Sequence, residues 1–262
     1  FIMQIAGDGV CVHTDLRRAR VQSRAKLTCE EVSAFLCAPE VHPWHDREFA
    51  ESLKGFKAVG ALRFAESQTR NVVHFNRVSL DVGLNSAKTA FTLGLDDRCD
   101  VDRYNEQLSL LCNIEGAAIL QRRAQEDPEV LAIFRNHEAP SLRDVAELEA
   151  SIAALARAQN LDDAWIWNRS AQSLADFFDH LPAESCNPDI EKPEEIRLFR
   201  IRQAMERLVL MVQRRSVFSP EAGLHSALGV NPYARFSAPM REMVGIFTHK
   251  EAVESEFAGA CA

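Results

Sequence analysis

The feature that most constrains this chain is a change in the spacing of its apolar residues. Near the N-terminus, and again around residues 71–93, they alternate; from residue 102 onward they recur every three or four positions. Alternation puts side chains on the two faces of a strand, whereas the longer spacing lines one stripe of a helix. Phe1-Ile2-Met3-Gln4-Ile5 and Val10-Cys11-Val12-His13 flank Gly7-Asp8-Gly9, which predicts a β-hairpin over residues 1–24. Residues 71–93 read as extended in three pieces: Val72 to Phe75, Val78 to Val82 and Thr89 to Leu93. Between these stretches, Phe49, Leu53, Phe56, Val59, Leu62 and Phe64 predict a helix over 46–67. Leu108, Leu111, Ile114, Ala118 and Leu120 predict another over 102–124.

Two capping boxes sharpen the helical reading. Thr28 is followed three residues later by Glu31, and Ser141 by Asp144. In each, a hydroxyl and a carboxylate can satisfy backbone N–H groups that the first turn leaves open. The first helix should end near Ala38-Pro39 and the second near Gln159. Shorter helices are expected at 168–179 and 193–213, and a last one at 241–255. Residues 214–240 contain Pro220, Gly223, Gly229, Pro232 and Pro239 and read as mostly loop. The fold class is therefore α+β, with antiparallel strands early and a mostly helical second half.

Hydrophobic residues make up 47% of the 262, enough for a sizeable core, and charged residues make up 26%, which excludes a disordered class. The longest apolar run, Leu208 to Val212, is far short of a bilayer span, so no membrane association is expected. The net charge of −8 argues against a general nucleic-acid coat protein but leaves room for one local basic channel. Seven cysteines without a C-x-x-C pair fit a reducing compartment, cytoplasmic or organellar. The chain starts at Phe1 with no signal-like segment, so it is expected to be processed or a fragment of a longer protein.

Four blocks carry a resemblance. Residues 216–250 include Ser216-Val217-Phe218-Ser219-Pro220-Glu221-Ala222-Gly223, His225-Ser226-Ala227-Leu228-Gly229, Tyr233-Ala234-Arg235-Phe236-Ser237-Ala238-Pro239-Met240-Arg241 and His249-Lys250. This resembles the order Y-S, H-F-G-L, Y-x-x-F-T-S-P-I-R-R-Y and H-R of the RNB (ribonuclease II / ribonuclease R) exoribonuclease family. Asn105 to Asn113 looks like the family's E-E-x-M-x-x-A-N helix, Phe134 to Pro140 like its Y-R-x-H-E-x-P, and Ala25 to Val32 like its K-L-T-Y-E-E-V. Glu242, Met243 and Gly245 depart from the pattern, which has Arg, Tyr and usually Asp there. The family's aspartate cluster precedes the first block, where this chain has only Asp8 and Asp15. Residues 1–262 thus read as a partial RNB-like domain, the later part of the catalytic domain, without the metal-cluster segment or the S1 domain.

The resemblance implies roles for five residues. Arg241 matches the catalytic arginine, whose fork suits a phosphate; the alternative is a surface ion pair at a helix start. Glu106 matches an RNA-contacting glutamate, or is an ordinary exposed carboxylate. Phe75 falls where the family clamps the terminal base with an aromatic ring, although a strand aromatic is more often core. His225 and Tyr233 occupy matched loop positions and would shape an RNA-binding site, or simply pack. His137 and His249 read as structural. Asp96, Asp97, Asp100 and Asp102 suggest a replacement metal cluster, but an acidic loop feeding a helix N-terminus explains them as well. Cys37, His42 and His45 offer three zinc ligands, against the plainer reading of an inter-helix loop.

The resemblance implies 3′→5′ exoribonuclease action on single-stranded RNA ends, with Mg²⁺ held by carboxylates. Those carboxylates are expected from an upstream segment or a second chain, so whether this chain is itself an enzyme is left open. The alternative is a catalytically inactive RNB-derived subunit that binds RNA or acts as a scaffold in a larger assembly.

Overall fold

The computed structural model describes residues 1–75, 78–85, 87–181 and 193–257, with side chains for all of these except 78–81 and 93–97. The N-terminal alternation forms β1 (Ile2–Ile5) and β2 (Cys11–Asp15), paired antiparallel with a bulge between Gln4 and Ile5. The glycine turn closes this hairpin: the Ala6 N–H donates to the Val10 carbonyl at 2.9 Å, and Gly9 takes φ 85°. A Cβ at Gly9 would lie 2.3 Å from the Leu62 carbonyl oxygen, so glycine alone lets the turn press on the next layer. Pairing stops at Asp15, short of residue 24. The segment beyond packs only Leu16 on a core and then carries Arg17, Arg18, Arg20, Arg24 and Lys26, all exposed.

The Thr28 box forms as expected and opens α1 (Cys29–Cys37): Glu31 N–H donates to the Thr28 hydroxyl at 3.2 Å and Thr28 N–H to the Glu31 carboxylate at 2.9 Å. The next helix, α2 (Ala50–Gln68), begins four residues later than the spacing suggests. Turns around His42, Trp44 and Phe49 intervene, their rings packed edge-on. Of the three extended pieces at 71–93, two pair. β3 (Val78–Leu84) runs antiparallel to β4 (Phe91–Asp97), with Val78 opposite Asp97. Residues 71–75 join no strand, and Val73 and Phe75 pack on a core instead. Asp96 and Asp97 end β4 rather than forming an acidic loop.

The longest element is α3 (Asp100–Glu126), 27 residues, capped when Asp102 accepts the Cys99 backbone N–H at 3.1 Å. After it come β5 (Phe134–Asn136) and α4 (Leu142–Ala158), the latter opened by the Ser141–Asp144 box. Next are α5 (Leu174–His180), shorter than expected, and α6 (Pro193–Val212). Within the stretch read as loop lies β6 (Val217–Ser219), which pairs antiparallel with β5 across some eighty residues of sequence. Three residues are too few for alternation to register, and the pairing is settled by a distant partner. The chain closes with α7 (Met243–Phe257).

Two cores result. In one, Leu148, Ile152 and Ala156 form a stripe on α4 against Phe177 and Phe178 of α5 and Met205 of α6. Full burial of a large apolar side chain is worth about 1.5–3 kcal/mol, so this stripe is the main anchor of the helical half. In the other, Ala117 and Leu120 of α3 meet Phe134, Ala234, Phe236 and, from α7, Ala252. α3 therefore joins the early, strand-bearing part to the C-terminal segment. The α+β class holds, although one of the three two-stranded sheets among the described residues draws on the second half of the chain.

Candidate functional site

The site is built on the N-terminal half of α3. Gly60 of α2 lets the two helices approach: a Cβ there would sit 2.4 Å from the Cβ of Tyr104. That contact brings the end of α2, and the segment 70–75 leaving it, beside the first turns of α3. Together with α6 and the loops holding His137 and His225, they enclose a cavity of about 560 Å³. Phe75, Glu106 and His225, three of the five residues singled out from sequence, line it.

Phe75 is half-buried, with one side packed on the helical core. It is a core aromatic that also forms cavity wall. Glu106 is exposed and pairs with Arg98 at 2.7 Å. His225 is buried, its ring stacked on His137 with centroids 5.1 Å apart and planes 21° apart. Burial, with the nearby charges of His137 and Arg135, pushes the His225 pKa down to about 4. The His137 Nδ1 meets the Ser226 hydroxyl at 2.6 Å, which fixes the lower ring of the stack.

Arg70, Arg98, Arg103 and Arg202 also line the cavity, against Glu106 and Asp179. Each arginine already holds a carboxylate: Glu66, Glu106, Asp100 and Glu206 respectively. Five N–H donors per guanidinium leave capacity for a further anion. The wall is thus rich in arginine although each guanidinium is charge-paired.

Tyr233 does not line the cavity. It is 3% exposed and stands behind His225, with ring centroids 4.9 Å apart. Its hydroxyl accepts from Asn113 Nδ2 at 3.0 Å. The same asparagine side chain, 1% exposed, accepts the N–H groups of Phe236 and Ser237 at 2.7 and 2.8 Å. Asn113 thus ties the 233–237 segment to α3. Sequence reasoning quoted it only as the end of a motif; the signal that marks it is a polar residue on a helix face otherwise turned to the core.

Arg241 is exposed, just ahead of α7, and does not line the cavity; its charge acts on the neighbouring Glu242 carboxylate. Next to it, Glu242 pairs with Arg235, whose Nε donates at 2.8 Å. The Arg235 guanidinium holds the Glu242 carboxyl below the usual carboxylate range. Gly245 has a packing reason: a Cβ there would meet the Pro239 Cα at 3.0 Å. Thr248 and His249 reinforce that contact by bonding the Arg235 and Phe236 carbonyls at 2.7 and 2.8 Å.

Among the described residues, no group of three or more His, Cys, Asp or Glu side chains could hold a metal ion. Asp15 pairs with Arg17, Asp100 with Arg103, and Asp102 caps α3. The side chains of Asp96 and Asp97 lie outside the described residues. His42 is taken up by Phe35 and Trp44, and its Nδ1 accepts the Trp44 N–H at 3.2 Å, so the zinc reading has no ligand set. Cys11, Cys29, Cys37, Cys99 and Cys112 are free thiols. No helix among the described residues is long and apolar enough to cross a membrane.

The fold is that of solved ribonucleases. The RNase R of Mycoplasma genitalium, in complex with ribose-methylated single-stranded RNA, superposes with a TM-score of 0.75 at 16% identity. The match covers 98% of this chain and 36% of that one, and the apo form of the same enzyme matches at 0.74. In sequence, Ribonuclease R of Helicobacter pylori is 23% identical over 235 residues, 90% of this chain. The chain spans about a third of the length of that relative, 32%. The family model for the RNB domain matches residues 1–251, and the chain belongs to the RNB domain family.

Proposed function

We propose that the cavity takes the 3′ end of a single-stranded RNA, and that the chain is the RNA-channel and phosphate-side part of a 3′→5′ exoribonuclease of the ribonuclease II/R type. The observation that carries this is the convergence of Phe75, Glu106 and His225 on one cavity with an arginine-bearing wall. An aromatic ring offers a stacking face to any base, worth about 1–3 kcal/mol, and the guanidinium groups offer donors to the backbone. Glu106 can accept the ribose 2′-hydroxyl, a contact that DNA lacks. Tyr233 and Asn113 hold the His225 loop in place from behind. Arg241 is the candidate for the scissile phosphate, which would sit outside the cavity toward α7.

Hydrolysis with Mg²⁺ would need carboxylates from another segment or a second chain, since the described residues assemble no such set. The 262-residue chain alone is therefore expected to bind RNA without degrading it. A fluorescence-anisotropy titration with a short 5′-labelled single-stranded RNA, followed by gel analysis after incubation with Mg²⁺, tests both halves. Binding without decay fits the proposal. RNA decay by the chain alone that survives Arg241→Ala would show the site to be wrongly assigned.

A second reading, a non-catalytic RNA-binding or scaffold subunit, is favoured by Glu242. Where the family pattern has a second arginine, this carboxylate instead neutralises Arg235. Recovery of decay on adding a chain that bears the aspartate segment would count against it.

A further inference from the structure

Beside the cavity, the two-stranded ribbon of β5 and β6 carries an exposed aromatic ring. β5 runs straight into His137 and β6 follows closely on Gln213, and both of those residues line the cavity. Phe134 of β5 is buried in the core, so alternation turns Arg135 to the other face of the ribbon. Phe218, its partner across the strands, is 54% exposed. The Arg135 guanidinium lies over the Phe218 ring, 5.4 Å from its centroid. Two hydrogen bonds fix this arginine: its Nε donates to the Ser216 hydroxyl at 2.9 Å, and its backbone N–H to the Tyr233 carbonyl at 2.8 Å. Lone exposed apolar side chains are ordinary on a protein surface. This ring differs in having a fixed cation against it, with Arg214 and Arg215, both exposed, just before the strand. The charge of Arg135 also bears on His225 in the cavity wall and on Glu242, the neighbour of Arg241. The pair is thus within electrostatic reach of both the cavity and the segment that holds the candidate phosphate arginine.

Resting on the reading of the cavity as an RNA 3′-end site, we infer that Phe218 and Arg135 form a second RNA subsite outside it, where the Phe218 ring stacks on a base upstream of the 3′-terminal one. Every base has a flat π face, so an aromatic ring backed by a guanidinium grips a single strand without reading its sequence. The Arg135 N–H groups not turned to Ser216 suit the phosphate beside the stacked base. Such a contact would lead the strand from the ribbon into the cavity and hold it while its end is seated.

The test is an abasic scan. A 5′-labelled single-stranded RNA, made abasic at one nucleotide at a time counted from the 3′ end, is titrated by fluorescence anisotropy with the 262-residue chain without Mg²⁺. Loss of the 3′-terminal base and loss of one upstream base should each weaken binding about tenfold, the size of one stacked base. Phe218→Ala should weaken the intact RNA by about the same factor, and should abolish the upstream sensitivity while keeping the terminal one. Phe218→Trp, which keeps a stacking ring, should retain both, and covers the case in which the alanine variant disturbs the ribbon. Indifference of the unmodified chain to every upstream abasic position overturns this inference and leaves the RNA site standing. So does an unchanged affinity in Phe218→Ala, which would give the exposed ring to a protein contact instead, or a Phe218→Trp variant that binds as weakly as the alanine one. Failure of the unmodified chain to bind any of these RNAs removes the RNA reading itself, and this inference with it.

Discussion

At the scale of single residues, Asn113 and His225 show how buried polar groups are made to position the site. Replacing Asn113 by alanine strips the Phe236 and Ser237 N–H groups of the Asn113 carbonyl and the Tyr233 hydroxyl of one of its partners. Leaving a buried donor unpaired costs about 1–3 kcal/mol, so Asn113→Ala should lose about 2–4 kcal/mol in urea unfolding. The same variant should loosen the loop behind His225. His225 itself makes stability depend on pH. Its folded pKa is pushed from 6.5 down to about 4, mainly by burial. Between those values the unfolded chain binds a proton that the folded chain refuses. The histidine's contribution is thus complete above pH 6.5 and is lost as pH falls toward 4. The slope is at most about 1.4 kcal/mol per pH unit. Urea unfolding at stepped pH should show this loss, and His225→Asn should flatten it.

At the scale of elements, local signals were legible and distant ones were not. Both capping boxes formed where Thr28 and Ser141 place them, because such a box is satisfied within four residues. Thr28→Ala should destabilise the fold by about 1 kcal/mol, read as a shift in the unfolding midpoint. β6 escaped sequence reading because its partner is far away in the chain and it buries little of its own. Val72 to Phe75 was read as extended; in the structure Val73 and Phe75 serve a helical core instead. Alternation reports which residues face inward and does not say whether a neighbouring strand is there to pair. Close contacts between elements were invisible too. Gly116 of α3 faces the Phe236 ring, and a Cβ there would lie 2.4 Å from it. Gly116→Val should therefore cost about 1–3 kcal/mol by overpacking the joint between α3 and the 233–237 segment, again measurable by urea unfolding.

For the whole molecule, the family was legible because four motif blocks keep their order along the chain, and the match over residues 1–251 confirms it. The site was legible in part. Phe75, Glu106 and His225 meet at one cavity, whereas Tyr233 supports it from behind and Arg241 stands apart. Which residues share a wall depends on how α2 and α3 pack, and that is fixed by contacts such as Gly60 against Tyr104 that no motif records. The arginine-bearing wall in an acidic chain was likewise hidden, since net charge averages over faces that never meet a ligand. The central claim, that this cavity holds the 3′ end of RNA, is tested most directly by photo-crosslinking. A single-stranded RNA carrying one 4-thiouridine, at its 3′ or its 5′ end, is irradiated with the 262-residue chain, and the crosslinked peptide is identified by mass spectrometry. The 3′-labelled strand should mark peptides containing Phe75, Glu106 or His225, and Phe75→Ala should reduce the yield. Equal marking by the 5′-labelled strand, or crosslinks confined to surfaces away from these residues, would contradict the account.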